Sequence, residues 1–85
     1  MSANGRGTDE LMPLSMARPG TRARVTELRG GLGMNRRLAS LGIVPGCELV
    51  LVRGGPGGPI IVTVGQSRLV LGRGISHRIM IQPLQ

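Results

Sequence analysis

At 85 residues the chain has room for one small domain and a tail, with no apolar run long enough to read as a membrane-spanning helix. Leu, Ile and Val supply 24 residues, enough for a thin core, while 15 Gly and 6 Pro predict a fold rich in turns. Phe, Trp and Tyr are absent, which excludes base-stacking platforms for single-stranded nucleic acid and aromatic grooves for proline-rich peptides; all eleven basic residues are Arg, which excludes lysine chemistry.

Residues 1–13 are polar and unpatterned as far as Met12 and Pro13, and predict a flexible leader ahead of a domain over 14–85. Pro19 and Gly20 predict a turn. From Thr21 to Leu28, Ala23 and Val25 alternate with Arg22, Arg24 and Thr26, the pattern of a half-buried strand. After glycines at 30, 31 and 33, Met34, Leu38 and Leu41 recur at helical spacing, with Arg36 and Arg37 off the stripe and Gly42 as a stop. Pro45 and Gly46 make the next turn, followed by a strand over 48–53, a glycine and proline loop over 54–58, and a strand over 59–64. Gly65 and Gln66 read as a two-residue hairpin link into a strand over 67–71, with Gly where positive φ is needed. Residues 72–77 predict one helical or 3₁₀ turn that carries Ile75 inward, and 79–81 a last short strand.

Five short strands joined by glycine-rich turns predict a mainly-β fold: a small, partly open barrel with one short helix at its end and a final helical turn. Alternation assigns Leu49, Leu51, Ile60, Val62, Val64, Leu69, Leu71, Ile79 and Ile81 to the interior, joined by Leu38, Leu41, Ile43 and Ile75. The opposite faces are not polar. Val50, Val52, Ile61, Val70 and Met80 are expected to point outward, and a contiguous apolar patch of that kind predicts docking.

Charge points the same way. Residues 1–13 set Arg6 against Asp9 and Glu10, a net of −1, so residues 14–85, with ten Arg against Glu27 and Glu48, carry +8. Such a field favours acidic protein faces, nucleic-acid phosphates or anionic headgroups.

Reactive constellations are missing. His77 is the one His, and Cys47, Glu27 and Glu48 sit in separate elements without ligand spacing, so no metal site is expected. Cys47 reads as a small hydrophobe at the start of an apolar strand, and no Ser-His-Asp arrangement can be assembled. Gly31 and Gly33 begin a dinucleotide-like run, but Arg36 stands where its third glycine belongs and no βαβ unit surrounds it. The residues therefore predict no enzyme, no cofactor and no small-molecule substrate. Without a disulfide pair or an apolar signal stretch, a cytoplasmic protein is expected.

The run from Leu38 to Gly46, Leu-Ala-Ser-Leu-Gly-Ile-Val-Pro-Gly, is followed by Leu49 and Leu51, by Gly58 to Gly65, by Leu71-Gly72-Arg73-Gly74-Ile75-Ser76 and by Ile79-Met80-Ile81. In order and spacing these segments resemble the FeoA family of bacterial ferrous iron transport, over about residues 14–83. The resemblance implies a Src-homology-3-like (SH3-like) barrel, and a partner in FeoB, the inner-membrane ferrous iron transporter with a cytosolic GTP-binding domain. Similar domains end iron-dependent repressors, whose DNA-binding helices and metal ligands this chain lacks, so a free-standing module is expected.

The expected role is a non-enzymatic accessory module docked on the cytosolic part of such a transporter, peripheral to the inner membrane through it. Val50, Val52, Ile61 and Met80 are the candidates for apolar contact, and Arg22, Arg24, Arg36 and Arg37 for acidic contact. Two competitors stand beside it. A basic nucleic-acid-binding barrel rests on charge alone, and a self-associating homo-oligomeric scaffold rests on strand edges and apolar outer faces.

Overall fold

The computed structural model describes residues 11–54 and 58–84; the leader as far as residue 10 and the middle of the loop over 54–58 lie outside the described residues. Strand β1 (Met12–Pro13) runs into a 3₁₀ turn (Leu14–Met16), followed by β2 (Arg22–Leu28), α1 (Gly31–Ser40), β3 (Glu48–Arg53), β4 (Ile60–Val64), β5 (Ser67–Leu71), α2 (Arg73–His77) and β6 (Ile79–Pro83). The strands form one antiparallel sheet in the order β1-β6-β2-β3-β4-β5. This is the expected mainly-β barrel, with a sixth strand added. Met12 and Pro13, placed in the leader by their lack of pattern, pair with Ile81 and Met80, so the domain starts earlier than residue 14. Leu14, directly after them, is fully buried.

Alternation decides what is inside. Ala23, Val25, Leu49, Leu51, Ile60, Val62, Leu71, Ile79 and Ile81 are buried in one cluster with Leu14, Leu38 and Ile43, while Val64, Leu69 and Ile75 pack half-buried against it. Each fully buried aliphatic side chain contributes roughly 1.5–3 kcal/mol, and with no rings the core depends on many small contributions. Strand β2 bulges at Thr26, between the pairs Val25–Ile81 and Glu27–Met80, and Thr26 Oγ1 donates to the Met80 carbonyl at 3.2 Å. Before the bulge β2 pairs with both β3 and β6; after it β2 follows β6 alone, which curls the sheet.

The two turns on which the fold rests are built by glycine. Gly65 has φ +60° while Gln66 has no positive φ, the II′ pattern, and it joins Val64 to its partner Ser67 in a two-residue hairpin. Gly42, at φ +93°, ends α1: its N–H donates to the Ala39 carbonyl at 2.9 Å and the Ile43 N–H to the Leu38 carbonyl at 2.9 Å. That is a Schellman ending, with its hydrophobic contact supplied by the buried Leu38 and Ile43. The helix stops one residue short of Leu41, which becomes the C-cap; expected inside, it is 42% exposed. The segment over 72–77 contains a short α-helix, and its fully buried residue is Ser76, whose hydroxyl donates to the Arg73 carbonyl at 2.9 Å, with Ile75 half-buried.

A Cβ on Gly42 would meet Val64 at an ordinary 3.6 Å, so substitution there acts through the backbone. Gly42→Ala is expected to cost about 1–2 kcal/mol in urea denaturation with the slope unchanged; a loss near zero would mean that Gly42 does not need its left-handed conformation.

Candidate interaction surface

Residues paired across an antiparallel sheet share a face. The β2–β3, β3–β4 and β4–β5 registers therefore align Arg22, Val50, Thr63 and Arg68 in one row across the outer face, and Arg53, Ile61 and Val70 in a second. Val52 falls in the bulge between Leu51 and Arg53. The result is an apolar strip of Val50, Val52, Ile61 and Val70 flanked by arginines. Val50 and Ile61 are half-buried by their neighbours, Val52 is 39% exposed and Val70 66%.

Met80 departs from expectation. Alternation puts it on the outer face as a contact residue, yet it is 7% exposed. Strand β6 lies between β1 and β2, and the 3₁₀ turn and α2 pack against it, so the strand that carries Met80 is covered by elements other than its sheet neighbours. Arg22 and Arg24 are exposed and share Glu48, at 3.6 and 3.1 Å. Arg36 and Arg37 are exposed on α1, a different element from the apolar strip. The register joins Val70, expected outward by alternation, to the strip and adds two residues that alternation alone does not nominate, Arg53 and Arg68. Their signal lay in the pairing of strands, which a single strand's pattern does not contain.

Both carboxylates of the described chain are occupied. Glu48 serves Arg22 and Arg24, and Glu27 accepts hydrogen bonds from Arg29 Nε at 2.9 Å and Nη2 at 3.3 Å. The Arg29 hydrogen bonds, reinforced by its charge, hold the Glu27 carboxyl below the ordinary glutamate value of 4.5 and push Arg29 further up. Among the described residues no carboxylate pairs with Arg36, Arg37, Arg53 or Arg68. Exposed pairs of this kind contribute little to stability, so the consequence is mainly electrostatic: the surface keeps its positive surplus.

His77 is exposed, with Nδ1 3.2 Å from Ser15 Oγ, and Cys47 is a half-buried free thiol packed against the core. Among the described residues there is no group of three or more His, Cys, Asp or Glu side chains able to hold a metal ion, and no helix long and apolar enough to cross a membrane.

The fold defines a small SH3-like module whose outer sheet face carries apolar and cationic side chains. The FeoA domain family model matches residues 12–83. A relative from Methanocaldococcus jannaschii that carries the name Fe(2+) transport protein A is 33% identical over 72 residues, covering 85% of this chain and 87% of its own. A crystal structure of an iron uptake regulatory protein, FeoA, superposes with a TM-score of 0.83 at 35% identity, covering 88% of this chain and 100% of the other. The solution structure of the FeoA protein from Chlorobium tepidum gives 0.79 at 35% identity, over 87% of this chain and 71% of that one. The chain belongs to the FeoA family, which implicates it in ferrous iron transport.

The Glu27–Arg29 pair gives a direct check on the electrostatics. A carboxyl whose folded value is depressed contributes stability that is present above 4.5 and fades as pH falls through the lower folded value. An NMR titration should place the Glu27 midpoint below 4.5 and move it back up in Arg29→Gln; a wild-type midpoint at or above 4.5 would contradict the pairing.

Proposed function

We propose that this protein is a non-enzymatic accessory module that docks on the cytosolic GTP-binding part of a FeoB-like inner-membrane ferrous iron transporter and supports uptake. Family membership supplies the transport context. The observation that carries the docking reading is the outer sheet face, where Val50, Val52, Ile61 and Val70 are flanked by Arg22, Arg53 and Arg68. Apolar area supplies affinity once water is expelled, and the arginines select an acidic partner and speed encounter. Arg24 reinforces that rim through Glu48, and Arg36 and Arg37 offer a further cationic contact on α1.

In this reading iron is handled by the transporter. Docking acts on transport by favouring whichever conformation of the partner it binds more tightly, since a module with equal affinity for two states shifts neither. A difference of about 1.4 kcal/mol in that preference changes the ratio of the two states tenfold.

Titration with the transporter's cytosolic domain at near-physiological salt tests the reading. Val52→Asp, at an exposed bulge position, is expected to weaken binding at least about tenfold, equivalent to about 1.4 kcal/mol, with circular dichroism unchanged. No binding by the unaltered protein in any nucleotide state of the partner would contradict it.

A further inference from the structure

The sheet has two edges, and they differ. Strand β1 is two residues long, too short to template another strand, whereas β5 pairs with β4 over five residues, Ile60–Leu71 through Val64–Ser67, without a register shift. Strand β5 contains no Pro and no bulge, two of the devices that blunt an edge, and its one charge, Arg68, screens it only against partners of like sign. Among the described residues no backbone hydrogen bond beyond the β4 ladder involves residues 67–71.

The hairpin fixes which backbone groups are free. In a two-residue hairpin Val64 and Ser67 exchange both hydrogen bonds, and antiparallel alternation then assigns the bonded sites to Val62–Leu69 and Ile60–Leu71. The N–H and C=O groups of Arg68 and Val70 therefore face away from β4. The same two residues carry the outward side chains, both exposed, and Arg68 has no carboxylate partner among the described residues. Backbone donors and acceptors, an apolar side chain and an unpaired cation coincide at one edge.

We propose that the free edge of β5 receives an extended segment of a partner protein as an added antiparallel strand, with an apolar residue opposite Val70 and, two positions later, an acidic residue opposite Arg68. The site rests on the docking reading above and gives it a geometry. A surface without aromatic anchors has few concentrated contacts to offer, and main-chain pairing supplies affinity without them. A second copy of this chain fits less well, because β5 carries no carboxylate and two positively charged bodies would repel.

The test is amide hydrogen exchange on the full chain with two probes: the transporter's cytosolic domain, and millimolar synthetic octapeptide with valine followed two positions on by glutamate. Either probe is expected to slow exchange of the Arg68 and Val70 amides at least about tenfold, the sign of new main-chain pairing. Val70→Pro removes an N–H that the β4 ladder does not use, so its fold should persist, checked by unchanged exchange in β2 and β6, while the protection disappears. Arg68→Glu should weaken binding about tenfold and Arg68→Lys should largely restore it. Peptide protection without transporter binding would sustain the edge site and sink the docking reading. Transporter binding that leaves both amides exchanging as in the free protein would do the reverse, and binding of neither probe would overturn both.

Discussion

The register between β4 and β5 is the constraint from which the rest follows. The two-residue turn at Gly65 and Gln66 leaves no slack, so Val62 and Leu69 meet on the inner face while Ile61 and Val70 meet on the outer one. A slip by one residue would exchange the faces and bring Arg68 into a core that has no carboxylate to receive it. Core and candidate interaction surface are thus two sides of one decision.

That decision matters more in a chain without aromatic rings. The core is Leu, Ile, Val and Ala, each side chain small, and none of them anchors the fold alone. Hydrocarbon is also spent on the outer face, where Val70 and Val52 stabilise the free protein less than buried residues would. The arginines beside them keep such a surface in solution and discourage self-pairing, while leaving it attractive to a surface of opposite charge.

Much of this was legible in the sequence, for stated reasons. Strands of five to seven residues carry enough alternation to reveal Ala23 and Val25, Leu49 and Leu51, or Ile60 and Val62 as inward pairs, and Gly42 and Gly65 announce the turns they make. What escaped depends on contacts between distant segments. Two residues cannot show a period, so β1 becomes visible through its pairing with β6. Alternation points Met80 outward, but its burial depends on the 3₁₀ turn and α2, which pack against β6 from elsewhere in the chain. Leu41 fitted the helical stripe, yet the Gly42 ending turns the chain before the stripe is complete. The bulges at Thr26 and Val52 leave no mark in composition, and with them the row that joins Arg53 to Ile61 and Val70 stayed hidden.

The central claim is that a mixed apolar and cationic outer face is covered when this protein works. Calorimetric titration with the transporter's cytosolic domain at several temperatures measures that directly, because burial of apolar surface lowers the heat capacity of the complex. The account predicts a clearly negative heat-capacity change together with affinity that falls as salt rises. A heat-capacity change near zero, or affinity indifferent to salt, would contradict it.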